Sequence, residues 1–156
     1  MTESPATTSP ASRGIPLSPD EPHTLAELFL QSAEKFDLPD ALNYKSGGQW
    51  HSITSAKMVE RAENIALGLH SLGLVKGDRA AILAGNSPEW TLSDAGCQFG
   101  GFVDVPIYTT LSPGSVRYII DDSQTRVFFI QDAAMYERIR DAIEGVQECN
   151  NNCQPN

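Results

Sequence analysis

The sequence has few basic residues and no long apolar run. Its 156 residues include 11 Lys and Arg against 20 Asp and Glu, which gives a formal net charge of −9. Such a chain repels a phosphate backbone, so nucleic-acid binding is excluded as a main role. No stretch approaches the roughly 18 consecutive apolar residues of a membrane span, so no transmembrane segment is predicted. The hydrophobic fraction of 40% is ordinary for a globular chain.

Glycine loops that bind phosphate are also missing. The sequence contains neither G-x-x-x-x-G-K-[ST] nor G-x-G-x-x-G. Gly47-Gly48 joins two predicted strands and Gly100-Gly101 precedes a strand, so both pairs are interpreted as structural. An intact binding module of the flavodoxin type would need phosphate-cradling loops at the ends of its strands.

Cysteine and histidine are scarce and scattered. An odd number of cysteines argues against a disulfide framework, and Cys149 and Cys153 lack the further ligands that zinc requires. Cys97 falls in a predicted helix and is interpreted as a small buried residue, because nothing near it in sequence would lower its pKa. No histidine stands four residues from another or beside a cysteine; the three are His23, His51 and His70. The sequence therefore predicts no metal-binding residue.

The two ends differ in composition from the middle. Residues 1–22 hold five of the ten prolines and seven Ser or Thr, and they are predicted to form a disordered tail. They lack the basic start and apolar run of a secretory signal and the arginines of a transit peptide, so we expect a cytoplasmic protein. Residues 148–156 have neither periodicity nor apolar content and are predicted to be unstructured. The ordered region is expected to span residues 23–147.

The first predicted elements are a helix and a hairpin. Thr24 and Glu27 have the spacing of a capping box, and apolar residues then recur with a helical period until Pro39 closes the helix. Two runs of strand character, 41–45 and 49–53, flank a glycine turn. This pattern predicts a β-hairpin.

A long helix is predicted after the hairpin. Thr54 or Ser55 is expected to cap it, and Gly73 is expected to end it in the left-handed conformation, with Leu74 folding back on the last turn. One face carries an apolar stripe that we expect to pack against the core. The stripe comprises Met58, Ala62, Ile65, Leu69 and Leu72.

Strand and helix signals then alternate three times. Strand-like runs cover residues 80–84, 102–107 and 126–130, and the helix-start signals that follow them are Ser87-Pro88, Ser112-Pro113 and Asp132. Strands that alternate with helices form parallel sheets through right-handed crossovers. The predicted fold class is therefore α/β, a partial parallel sheet with flanking helices in βαβαβα order.

The helix after Pro88 contains several small residues and one acid. The small residues are expected to let its backbone approach a strand closely; they are Ala95, Gly96, Gly100 and Gly101. Asp94 lies inside this helix, and Asp104 lies between two valines of the next strand. Because neither has a partner visible in the sequence, each is interpreted as an outward-facing or hydrogen-bonded structural residue.

Two segments resemble adenylate-forming enzymes, the AMP-dependent synthetase and ligase superfamily. LGLVKGDRAAIL at 72–83 and NSPEW at 86–90 are similar to the signature near the start of that family. GGFVDVPIYTT at 100–110 and VRYIIDDS at 116–123 resemble its next segment in order and spacing. The resemblance covers about residues 23–144, the N-terminal part of the family's large domain.

The segment around Tyr108 indicates one branch of this superfamily. VPIY at 105–108 resembles long-chain fatty acyl-CoA synthetases, because adenylation domains of peptide synthetases usually have Asp where Tyr108 stands. Thr109 departs from the family by replacing a common proline, and Ser115 stands where Glu or Gln is frequent.

The resemblance implies a two-step ligase in the full-length parent. Such enzymes join a fatty acid to ATP, release diphosphate through an acyl-adenylate, and transfer the acyl group to coenzyme A, with Mg²⁺ countering the phosphate charge. The family's Ser/Thr/Gly-rich loop, its Thr-Glu motif, its ribose-binding Asp and its C-terminal lysine all lie downstream of the match. We therefore predict no catalytic, cofactor-binding or metal residue here, and no ATP, Mg²⁺ or CoA bound by this chain.

The length suggests a fragment. Family members are several times longer, so we expect an N-terminal piece of such a ligase, arising from a frameshift, an early stop or incomplete gene assembly, that is inactive alone. Three alternatives remain: another adenylate-forming branch, a non-catalytic homologue that pairs with a full-length ligase, or a binding module acting with a partner. Peripheral membrane contact of the parent is left open.

Overall fold

A computed structural model describes residues 21–144. The tail predicted over 148–156 lies outside the described residues, as do all but the last two residues of the tail predicted over 1–22. Residues 21–144 form five helices and five strands, which alternate from α2 onward. In chain order they are α1 Leu25–Phe36, β1 Leu42–Ser46, β2 Gln49–Ile53, α2 Ser55–Ser71, β3 Arg79–Leu83, α3 Pro88–Gly100, β4 Val103–Ile107, α4 Pro113–Ser123, β5 Val127–Ile130 and α5 Ala133–Ile143.

The strands form two separate sheets in the described residues. β1 and β2 pair antiparallel as the predicted hairpin, and Gly47 and Gly48 take positive φ at its turn. The other three strands are parallel in the order β4-β3-β5, with Ile82 opposite both Pro106 and Phe129. The predicted α/β class with a partial parallel sheet and flanking helices is therefore confirmed.

The parallel sheet buries both of its faces. On one face Ala81 and Leu83 pack with residues of α4 and α5, including Val116 and Ile139. On the other face Ala80 packs with residues of α2 and α3, among them Cys97. Alternate residues of a strand point to opposite faces, so the continuous apolar run of β3 serves both helix layers at once.

Each helix begins directly after a residue that the sequence predicts as its N-cap. Thr24, Thr54, Ser87, Ser112 and Asp132 each cap a helix through a side-chain oxygen that accepts a backbone N–H three residues on. The capping box of α1 is complete, because the Glu27 carboxylate accepts from the Thr24 N–H at 3.2 Å. These bonds satisfy N–H groups that a helix start leaves without an intrahelical partner.

The end of α2 is a Schellman turn. Gly73 has φ +86°, and its N–H donates to the His70 carbonyl at 2.9 Å while the Leu74 N–H donates to the Leu69 carbonyl at 3.2 Å. Leu74 is 3% exposed and packs in the same cluster as Leu69. The predicted left-handed glycine and the apolar residue that folds back are both confirmed.

Gly96 of α3 faces a helix, which differs from the expectation of a close strand at this position. A Cβ built on Gly96 would lie 2.4 Å from Ile65 Cγ2 and 3.2 Å from the Ala62 carbonyl oxygen, both on α2. Glycine at position 96 therefore lets α2 and α3 approach each other closely. Gly101 ends α3 with φ +70° and turns the chain into β4.

Candidate functional site

A cavity of about 540 Å³ opens at the carboxyl ends of β3 and β5. In open parallel sheets ligands bind at this edge, because the loops that follow the strands converge there. Part of its wall is the segment 86–90, the NSPEW sequence that carries the family resemblance, and Phe129 and Gln131 supply the opposite side. This cavity is the candidate functional site.

Hydrogen bonds join the two loops that form this cavity. The Gly85 N–H donates to Gln131 Oε1 at 2.9 Å, and the Gln131 N–H donates to the Leu83 carbonyl at 3.0 Å. The Gln131 amide also donates to Asp132 Oδ2 at 2.9 Å, beside the cap of α5. One glutamine thus holds the end of β3 against the end of β5. The sequence analysis did not identify Gln131 as a site residue. Its position directly after a predicted strand is the feature that could have indicated it.

The chemistry of the cavity is limited. Glu89 is the one ionisable residue in its described lining, and it is exposed. The Ser87 hydroxyl already accepts the Trp90 N–H at 3.1 Å as the cap of α3. This arrangement provides a shaped surface and polar contacts, and it contains no acid–base pair or activated nucleophile.

The structure brings Asp94 and Asp104 together. The Gln98 amide donates to Asp94 Oδ1 at 3.4 Å and to Asp104 Oδ1 at 3.3 Å. Burial, followed by the nearby charge of Asp104, raises the pKa of the Asp94 carboxyl above its ordinary value. The hydrogen-bonded role is confirmed for both acids, and each has a partner that the sequence did not reveal.

Cys97 lies in the core behind this acid pair. It is 0% exposed, and burial, with the charges of Asp104 and Asp94, raises the pKa of its thiol to about 12. A thiol of that pKa stays protonated at neutral pH and is a poor nucleophile. The interpretation of Cys97 as a small buried residue is confirmed, and Cys149 and Cys153 lie outside the described residues.

The three histidines lie apart, each in a local contact. The His23 N–H donates to Glu27, the His51 ring stacks on Tyr44 at 5.3 Å, and the His70 ring lies 4.8 Å from the Phe102 ring. Within residues 21–144 no three His, Cys, Asp or Glu side chains are grouped so that they could hold a metal ion. No helix in the same range is both long and apolar enough to cross a membrane.

Comparison with known proteins identifies the family. A family described as AMP-binding enzyme matches residues 29–154. Long-chain-fatty-acid–CoA ligase ACSBG1 from Bos taurus is 33% identical over 124 residues, which are 80% of this chain and 17% of that protein; the Homo sapiens counterpart is also 33% identical over the same shares. A solved Mycobacterium tuberculosis fatty acyl CoA synthetase is 32% identical with a TM-score of 0.67, covering 78% of this chain and 24% of that one. This chain belongs to the AMP-binding enzyme family, and its described residues have the fold of the N-terminal part of adenylate-forming ligases.

Proposed function

We propose that this chain is the N-terminal portion of a long-chain fatty acid–CoA ligase. The observation that carries the proposal is the 33% identity to long-chain-fatty-acid–CoA ligases over 80% of this chain, which corresponds to 17% of their length. The full-length enzyme would convert fatty acid, ATP and CoA into acyl-CoA, AMP and diphosphate. This portion would supply one wall of the ligase, with its 86–90 loop at the carboxyl edge of the sheet.

We also propose that this portion does not activate fatty acids by itself. No position of the sequence corresponds to the Ser/Thr/Gly-rich loop, the Thr-Glu motif or the lysine of the family. The candidate cavity does not fit ATP on its own, because the ionisable residue in its lining is Glu89, whose carboxylate opposes phosphate charge. The other polar side chains of the lining are neutral, so none of them supplies the positive charge that a triphosphate needs; they are Asn86, Ser87, Ser93 and Gln131.

Exchange of diphosphate into ATP tests the inactivity of the chain. The purified 156-residue protein, expressed in a host lacking its own fatty acid ligase, is incubated with Mg²⁺, ATP, labelled diphosphate and hexadecanoic acid. We expect no exchange above a heat-treated sample. Exchange that depends on added fatty acid would contradict the proposal.

A chimera tests the assignment to long-chain ligases. The matching 124-residue segment of a full-length ACSBG1 ligase is replaced by the corresponding residues of this chain, and the unmodified ligase is the control. Since the two segments are 33% identical, we expect the chimera to retain activation of hexadecanoate within about tenfold, which is about 1.4 kcal/mol in transition-state free energy. A folded chimera without that activity would place this chain in another branch of the family.

A further inference from the structure

The cavity at the carboxyl edge of the parallel sheet has a serine hydroxyl at its floor. Of the residues that line this cavity, Ile82 and Ser93 are buried, and Ser93 is 8% exposed. Glu89 and Gln131 are exposed and form part of the rim. The volume of about 540 Å³ falls within the range of about 300–1,000 Å³ that small-molecule sites occupy. A ligand that reached the floor would therefore meet Ser93.

The Ser93 hydroxyl has no hydrogen-bond partner among residues 21–144. Two other hydroxyl side chains in this range are buried, and both are bonded. Ser55 accepts the Leu38 N–H, and Thr125 pairs with Ser123. Every fully enclosed side-chain oxygen or nitrogen of the described residues has a partner, so the Ser93 oxygen keeps an opening, and the cavity provides it. Because buried polar groups are nearly always bonded, this exception indicates a place for a ligand.

The walls above Ser93 are apolar and partly aromatic. Trp90 of α3 and Phe129 of β5 are half-buried and line the cavity, as does Ile130. Hydrogen bonds of Gln131 hold together the two loops that follow β3 and β5, so the cavity is preformed. Aromatic side chains pack well against another flat ring, in offset-stacked or edge-to-face arrangements. The walls therefore favour a ligand with an aromatic ring.

The charged groups around the cavity are acidic and exposed. Glu89 is the one ionisable residue among the described lining residues. Asp132 follows the lining residue Gln131 and accepts its amide N–H at 2.9 Å. Two carboxylates at the rim disfavour an anion. A cation gains little from exposed acids, and it would lose its hydration at a floor that offers a neutral hydroxyl. The charges therefore favour a neutral ligand.

We propose that this cavity binds a small neutral aromatic carbonyl compound, such as an aryl ketone, whose oxygen accepts the Ser93 O–H and whose ring lies along Trp90 and Phe129. The carbonyl supplies the acceptor that the hydroxyl lacks within the described residues. An aryl ketone has no N–H or O–H of its own, so binding at the floor leaves no donor of the ligand without a partner. The inference concerns this chain by itself and does not depend on the proposed ligase activity.

A nuclear magnetic resonance titration of the isotope-labelled 156-residue protein tests the proposal. Acetophenone is compared with molecules that have the same number of non-hydrogen atoms: isopropenylbenzene, in which carbon replaces the carbonyl oxygen, benzoate and benzamidinium. We expect acetophenone to shift the backbone amide signals of Ser93 and Gln131, and to bind about fivefold more tightly than isopropenylbenzene. Both ions should bind more weakly than acetophenone. Absence of these shifts, or binding of any of the other molecules as tight as that of acetophenone, would overturn the proposal.

Three variants locate the hydrogen bond. Ser93→Ala removes an unbonded hydroxyl, so it should keep the fold, weaken acetophenone binding about fivefold and leave isopropenylbenzene binding unchanged. Ser71→Ala is the matched control, because Ser71 is exposed at the end of α2, far along the chain from the cavity loops, and it should bind both molecules as the unmodified protein does. Ala84→Leu enlarges a lining residue and should abolish the shifts that both molecules cause. Unchanged acetophenone affinity in Ser93→Ala would refute the hydrogen bond, and unchanged affinity in Ala84→Leu would refute the location.

Discussion

Helices α1 and α5 carry similar apolar stripes, but only the stripe of α5 contains a buried residue. Ile139 of α5 is 0% exposed and packs against Leu83 and Val116 at the face of the sheet. On α1, Leu25 and Phe36 stay about 60% exposed, and none of its residues is buried. The comparison shows that an apolar stripe indicates which side of a helix faces the protein. Whether that side is covered depends on elements far away in the sequence.

The largest expected effect separates these two regions directly. Leu83→Ala removes a side chain that is 0% exposed at the carboxyl end of β3, and it should lower the free energy of unfolding by about 3–5 kcal/mol. Leu28→Ala on α1 removes a side chain that is 47% exposed and should cost less than about 1 kcal/mol. Urea denaturation of the two variants measures the difference. Equal losses would mean that α1 is covered in solution.

A second pair of variants compares close and open helix packing within the α2–α3 layer. Gly96→Ala should destabilise by about 1–3 kcal/mol, because its Cβ would overlap Ile65. Gly68→Ala on α2 meets nothing within 4 Å and should stabilise by about 0.5–1 kcal/mol, since alanine favours the helix. Thermal unfolding followed by circular dichroism should move in opposite directions. A shift of the same sign in both would argue against the tight α2–α3 contact.

A smaller effect than that of Leu83→Ala is expected in the loop before β3, at the amino end of the parallel sheet. Asp78 accepts the Val75 N–H at 2.8 Å and pairs with Arg126 Nη1 at 2.6 Å. The Val75 hydrogen bond first, and the Arg126 bond and charge next, hold the pKa of Asp78 below its ordinary 3.8. Asp78→Asn should cost about 1–2 kcal/mol at neutral pH.

This loss has a defined pH dependence. A carboxylate whose pKa is lower in the folded chain stabilises it above the unfolded pKa, and the contribution disappears as the pH falls through the folded value. The advantage of the unmodified protein over Asp78→Asn should therefore shrink below about pH 4 in urea titrations. Asp121→Asn, which breaks an exposed pair with Arg117, serves as the control and should change stability by less than about 1 kcal/mol at any pH. A difference that persists undiminished to pH 2 would contradict the role of Asp78.

Local patterns predicted the elements of this fold well, because capping and turn residues act on their own neighbours. Ser87-Pro88 and Gly73 mark a helix start and a helix end where the structure has them. The site was harder to predict, since its contacts join distant residues. Gln131 closes the cavity by bonding Gly85, 46 positions away, and no local pattern encodes that pairing.

The packing partner of Gly96 is a second feature that local sequence patterns do not predict. The sequence indicates a small residue and hence a close neighbour, but it does not show that the neighbour is Ile65 of α2, which follows from how α2 packs against α3. The Asp94–Asp104 pair likewise depends on the reversal at Gly101, which folds β4 back along α3. The periodicity of the sequence predicts which face of a helix or strand a residue lies on. The connections between the elements determine which of these faces pack together.

The placement of α5 sets the direction in which this sheet can grow. α3 connects β3 to β4 on one face, and α4 returns from β4 to β5 on the other, as right-handed crossovers require when the direction of travel reverses. α5 lies on the same face as α4, so a right-handed connection leaving β5 continues outward, away from β3. In a longer chain of this family, we expect a parallel strand that follows through such a connection to pair with β5. The opposite edge strand, β4, carries Pro106 and would stay unpaired by this connection.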